Sequence, residues 1–244
     1  MLGNCIKSVR ICKKYMLLKT PVQPTYSIPK TPKTIKILIY INVALYLLSL
    51  VFLAFGINLS MLFGVVPYLV LKKYYVWQFI TYMFMHGSVF HLLFNMLMLW
   101  MLGTELYIIW GNRFFLKYYF ICGLGAGIAV VLLSFLNTPS FTIPTIGSSG
   151  AIFGLLLAYG IIFKNRVLYV FGLIPVKANK LVLIMGAIEL VSLLSQENSS
   201  ISHLAHLGGL LTGFIYLRFK TWQRKNIANR LRVVTNNDNN RTWN

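Results

Sequence analysis

Gly147-Ser148-Ser149-Gly150-Ala151-Ile152-Phe153-Gly154 opens an apolar run that continues to Phe163. Further on, His203-Leu204-Ala205-His206-Leu207-Gly208-Gly209 opens another, which holds Gly213 and ends near Leu217. Both read as apolar helices, and each carries two glycines four residues apart, Gly150 with Gly154 and Gly209 with Gly213. Small-residue stripes of this kind let membrane helices approach closely. Alone they would only pack helices. Here Ser149 directly precedes one stripe and His206 lies one turn before the other, so packing stripe on stripe brings a hydroxyl toward an imidazole. Polar groups placed where hydrocarbon is expected are costly and are usually functional, and a serine with a histidine is the minimal kit for a nucleophile and its general base.

The rest of the chain supports a membrane setting. Hydrophobic residues make up 57% of the 244 positions and charged residues 11%, whereas soluble chains carry about 25% charged residues. Mean hydropathy is +0.70. Six stretches approach the roughly 20 residues needed to cross the hydrocarbon core: 35–55, 80–103, 114–135, 149–163, 181–194 and 201–217. The expected fold is therefore an all-α polytopic membrane protein, a six-transmembrane-helix bundle. Its core is residues 35–217, flanked by basic cytoplasmic tails at 1–34 and 218–244.

The net charge of +19 could suggest nucleic acid, but its placement argues against it. Six spans return the chain to the side where it began. That side then holds 21 of the 23 Lys and Arg residues, leaving Lys72 and Lys73 opposite. This is the positive-inside pattern, with both termini cytoplasmic, and basic tails near anionic lipid headgroups are its ordinary companion. Residues 1–34 and 236–240 read as unstructured tails. The loop at 56–75 is unusually apolar for its length and is expected to lie in the outer interface. Cys5, Cys12 and Cys122 form no disulfide framework. The first span is expected to act as both targeting signal and anchor.

The acids are few enough to exhaust: Glu105, Glu189, Glu197 and Asp238. Glu105 and Glu197 read as loop residues and Asp238 lies in the tail, so only Glu189 is deep in a span. No carboxylate pair or H-E-x-x-H motif is present. A triad lacks a placed acid, and serine catalysis is expected to rest on a Ser–His dyad. All four histidines lie in apolar stretches. His91 and Asn95 are one helical turn apart on one face. With the Ser149 backbone N–H they could supply the donors that acyl transfer requires around a developing oxyanion. Their structural alternative is a hydrogen-bonded clasp between helices, and His203 reads as structural.

Together these motifs resemble the rhomboid family of intramembrane serine proteases. They are Trp77 followed by His86, His91 and Asn95; Gly147 to Gly150; and Ala205 to Gly213, spread over residues 35–217. The resemblance implies Ser149 as nucleophile and His206 as general base. It also implies an oxyanion hole of His91, Asn95 and Ser149, with His86 supporting that region and Phe153 packed on the His206 ring. Gly147, Gly150, Gly209 and Gly213 then support the site. Glu105 and Arg113 resemble the family's structural Glu and Arg near the turn between spans two and three. The family commonly has Trp-Arg where this chain has Trp77-Gln78; the Arg is thought to steady the first loop, and Lys72 and Lys73 are the candidates to replace it.

The activity implied is cleavage of transmembrane protein substrates near the outer leaflet, with small residues at the cut, no metal and no organic cofactor. The expected partners are these substrates and membrane lipids, and a bacterial inner membrane is the expected location. Activity should fall as His206 is protonated, with no dependence on an acid. Two alternatives remain: a rhomboid-like binder of membrane proteins that does not cut, and a bis-histidine haem carrier. The first usually lacks the Ser or His, and the second leaves Ser149 and its glycines unexplained.

Overall fold

The computed structural model describes residues 30–134, 141–170, 173–194 and 200–239, and they are mostly helical. In chain order the helices are α1 (Lys33–Ala54), three short elements α2 (Leu59–Phe63), α3 (Pro67–Lys73) and α4 (Gln78–Thr81), then α5 (Val89–Leu133), α6 (Ser149–Ile162), α7 (Ala178–Leu194) and α8 (Ser200–Asn239). The tail expected at 1–34 lies largely outside the described residues, as does Glu197.

The centre of the bundle is α6. Eleven of its fourteen residues are buried, as befits a helix that is apolar all round, and α5, α7 and α8 pack against it. The outermost helix is α1, which leans on α5 through Ile35, Leu38 and Tyr46 and leaves Ile37, Leu47, Val51 and Leu53 exposed. Such a continuous apolar face would be an association hazard in water and is at home against lipid. Both α1 and α5 are long and apolar enough to cross a membrane, and α6 is a shorter apolar helix.

Several boundaries differ from the sequence reading. The stretch from 80 onward does not begin as one helix. Residues 78–84 form α4 and a 3-10 turn, Tyr82–Phe84, and α5 starts only at Val89. The reason is local: the Ser88 hydroxyl accepts from the His91 N–H at 3.2 Å, a side-chain N-cap that begins a new helix. Glu105, expected in a loop, lies within α5. The reversal that was expected over 104–113 is concentrated at Gly111, whose φ of +74° breaks α5 into two helical halves. Only glycine adopts that backbone readily. The loop expected at 164–180 contains an antiparallel hairpin, β1 (Val167–Val170) with β2 (Ile174–Lys177), pairing Val167 with Lys177 and Val170 with Ile174. This is a small departure from all-α. At the other end, α8 runs on through the expected tail to Asn239.

The apolar first loop is anchored to the body. Gln78 is fully buried. Its amide Nε2 donates to the carbonyls of Met61 and Leu62 at 3.1 and 3.2 Å, while its Oε1 accepts from the Val66 N–H at 3.0 Å. Trp77 Nε1 and Thr81 Oγ1 donate to the carbonyls of Leu62 and Phe63. Val65 and Thr145 then exchange two backbone hydrogen bonds, which ties this loop to the segment leading into α6. The anchor expected from Lys72 or Lys73 is supplied by Gln78: a neutral amide meets two carbonyls and one N–H, which an ammonium, having no acceptor, could not do.

Candidate active site

Ser149 is the first residue of α6. The first-turn N–H groups of a helix lack intrahelical partners, and its dipole presents a positive end there. Gly147, two residues earlier, has φ +114° and donates its N–H to the Tyr82 carbonyl at 2.9 Å. A Cβ at Gly147 would lie 2.6 Å from His91 Nε2 and 3.7 Å from Asn95 Nδ2. Glycine is thus required on two counts, and the loop entering α6 runs directly against the His91–Asn95 face of α5.

The two glycine stripes meet. A Cβ on Gly209 would fall 1.9 Å from the Gly150 carbonyl oxygen, and one on Gly213 would fall 3.3 Å from the Gly154 Cα. Backbone lies on backbone, which only glycine allows. Tyr118 adds a hydroxyl bond to the Gly154 carbonyl at 2.8 Å. With α6 and α8 this close, Ser149 Oγ stands 2.8 Å from His206 Nε2. The Phe153 ring stacks on the His206 ring, centroids 4.3 Å apart and 12° from parallel.

His86 and His91 sit edge to face at 5.1 Å. His86 is buried with neither ring nitrogen hydrogen-bonded, and Asn95 Nδ2 is likewise buried and unpaired. Buried donors without partners are rare and call for a functional account.

Sequence reasoning singled out Glu189 as the acid deep in a span but did not place it beside His206. Glu189 on α7 is buried, and its Oε1 lies 2.9 Å from His206 Nδ1 while its Oε2 accepts from His203 Nδ1 at 2.5 Å. The first of these falls within hydrogen-bonding range but off the line of the N–H bond, a looseness usual in a resting site. An imidazole without a neighbouring carboxylate, as the dyad reading expects, is therefore not what surrounds His206. The available signal was that Glu189 is the lone acid deep in an apolar stretch. The ligand atoms of Glu189, His203 and His206 all lie within 4.8 Å of one another, a set that could also hold a metal ion.

Glu105 stands apart from these groups. It is bound by Arg166 Nη1, and its Oε1 accepts from the Tyr159 hydroxyl at 3.2 Å, at the far end of α6 from Ser149.

Residues 73–223 match the Rhomboid domain. The chain belongs to the rhomboid family. It is similar to the rhomboid protease GluP of Bacillus subtilis, 34% identical over 140 residues that cover 57% of this chain and 25% of that protein. It also resembles the putative rhomboid protease YdcA of the same bacterium, 32% identical over 151 residues covering 61% and 69%. With the mitochondrial rhomboid protein 1 of Saccharomyces cerevisiae it is 28% identical over 182 residues covering 69% and 52%. The matched part is thus a quarter of GluP and about two thirds of YdcA. Rhomboids are integral membrane proteins, and relatives of this one carry protease names; the relatives come from bacterial, mitochondrial and plant sources.

Proposed function

We propose that this rhomboid is an intramembrane serine endopeptidase that cleaves transmembrane proteins near the outer leaflet. The observation that carries the reading is the 2.8 Å approach of Ser149 Oγ to His206 Nε2 at the start of a buried helix. In the reaction, the Ser149 O–H proton passes to His206 Nε2 as Oγ attacks the scissile carbonyl carbon. His206 then returns that proton to the leaving amine, and a water repeats the sequence to hydrolyse the acyl-enzyme. The oxyanion is received by the Ser149 N–H, His91 and the unpaired Asn95 amide. His86 backs His91, and Phe153 holds the His206 ring in plane.

Six crossings, formed by α1, the two halves of α5, α6, α7 and the first part of α8, fit the charge asymmetry, with both termini on the cytoplasmic side of a cell membrane. Lateral entry and local unwinding of the substrate would deliver its peptide bond to Ser149.

The test is a serine-directed fluorophosphonate probe together with cleavage of a transmembrane substrate. Wild type should be labelled and should cut, while Ser149→Ala should do neither. A folded wild-type protein that is unlabelled and cuts no transmembrane substrate would overturn the proposal and leave a binder of membrane proteins.

A further inference from the structure

We infer that Glu189 is a positioning residue for His206: Ser149 and His206 carry out the chemistry, and Glu189, braced by His203, completes a relay that orients the base; this rests on the protease reading above. Among the described residues Glu189 is the one buried carboxylate. Burying a carboxylate is unfavourable unless it is paired and hydrogen-bonded, yet among the described residues no Lys or Arg forms an ion pair with it. Its partners are two imidazoles, one at each oxygen.

His206 is thereby held on three sides. Its Nδ1 faces Glu189 Oε1, its Nε2 faces the Ser149 hydroxyl, and its ring face lies on Phe153. A carboxylate at Nδ1 favours the tautomer with the proton on Nδ1, which leaves the Nε2 lone pair for the serine proton. When Nε2 takes that proton, the imidazolium forms beside an anion already in place, in a medium of low dielectric. Glu189 itself gains and loses no proton. His203 occupies the second oxygen and so fixes the plane of the carboxylate. It comes from α8, one turn before His206, so that α7 and α8 are set in register by the group that orients the base.

Among the described residues, the polar and titratable groups facing His206 are Ser149 on α6, Glu189 on α7, His203 on α8 and, within electrostatic reach, His91 on α5. Glu189 is the only anion in the set. Replacing it by Gln keeps the shape and removes the charge that favours the imidazolium.

The experiment compares wild type, Ser149→Ala and Glu189→Gln as full-length protein in lipid bilayers. It reads fluorophosphonate labelling together with kcat and KM for cleavage of a transmembrane substrate, with thermal melting as the fold check. The expected result for Glu189→Gln is a loss in kcat of about 10²- to 10⁴-fold with little change in KM. Melting should stay near that of wild type. Equal kcat in a folded Glu189→Gln protein would overturn the relay while leaving the protease reading intact; an unlabelled, inactive wild type would overturn that reading itself. Activity abolished by EDTA and restored by Zn²⁺ would make the cluster a metal site and also overturn the relay. Should Glu189→Gln fail to fold, ¹⁵N spectra of histidine-labelled wild type decide. Protonated Nδ1 with unprotonated Nε2 on His206 is expected, and the opposite tautomer is the contradicting result.

Discussion

Two glutamates sit near opposite ends of the central helix α6, and their partners differ in kind. Glu105 meets Arg166 and the Tyr159 hydroxyl near the C-terminal end, with side chains 29% and 34% exposed for the ionic pair. Glu189 meets two imidazoles beside Ser149 at the N-terminal end, with its side chain only 8% exposed. A guanidinium is charged at any working pH, so the first pair is a fixed clamp. Burial acts against the Arg166 charge, but Tyr159 and Glu105 outweigh it and raise its pKa above the ordinary value. A raised cation pKa contributes stability below its unfolded value and loses it only in strong alkali, so the clamp is flat across neutral pH. An imidazole, unlike a guanidinium, can take up and give back a proton during turnover. The same carboxylate chemistry therefore serves as a brace at one end and, in the arrangement proposed above, orients the base at the other.

The comparison can be broken most sharply at the nucleophile. Ser149→Ala should lower cleavage by about 10³- to 10⁶-fold with little effect on melting, measured on a transmembrane substrate. Next comes the matched pair of glutamate variants. Glu189→Gln should lose kcat as described, whereas Glu105→Gln should keep kcat within a few-fold of wild type. Because the Glu105 pair is partly exposed, its loss should lower stability by about 1 kcal/mol or less, read as a small drop in Tm.

A third variant tests the seam that joins the two ends. Gly209→Ala would drive a Cβ into the Gly150 backbone. The helices must separate, and a displacement of about 1 Å at the reacting atoms can cost about 10²-fold in rate. Melting should fall by about 1–3 kcal/mol in the same variant. The smallest effect belongs to Gln78→Leu, which removes three hydrogen bonds from the first loop. Proteolytic nicking between residues 56 and 75 should quicken while kcat changes only a few-fold.

The helical stretches and the stripe-on-stripe contact were legible because they depend on composition and on the spacing of small residues, both local properties. The approach of Ser149 to His206 follows from those stripes and a single helical turn. What could not be read was rotation. Because α7 shows no distinct apolar stripe, its sequence does not say which side turns inward, and Glu189 finds its imidazoles only once α7 is set against α8. The start of α5 was hidden because Ser88, its cap, lies inside a run that is apolar on both sides. Gln78 was misleading in another way: the position could be noticed from sequence, but three backbone partners from a distant loop are a tertiary fact. Glu105 was placed in a loop since a charge in an apolar run reads as a boundary, whereas Arg166, 61 residues away, lets it stay in the helix.

The most direct measurement is to treat the purified, folded protein in lipid with a fluorophosphonate and map the adduct by mass spectrometry. The account predicts one covalent adduct, on Ser149, absent from Ser149→Ala and sharply slowed in His206→Ala. A folded wild-type protein without an adduct, or with the adduct on another serine, would contradict it.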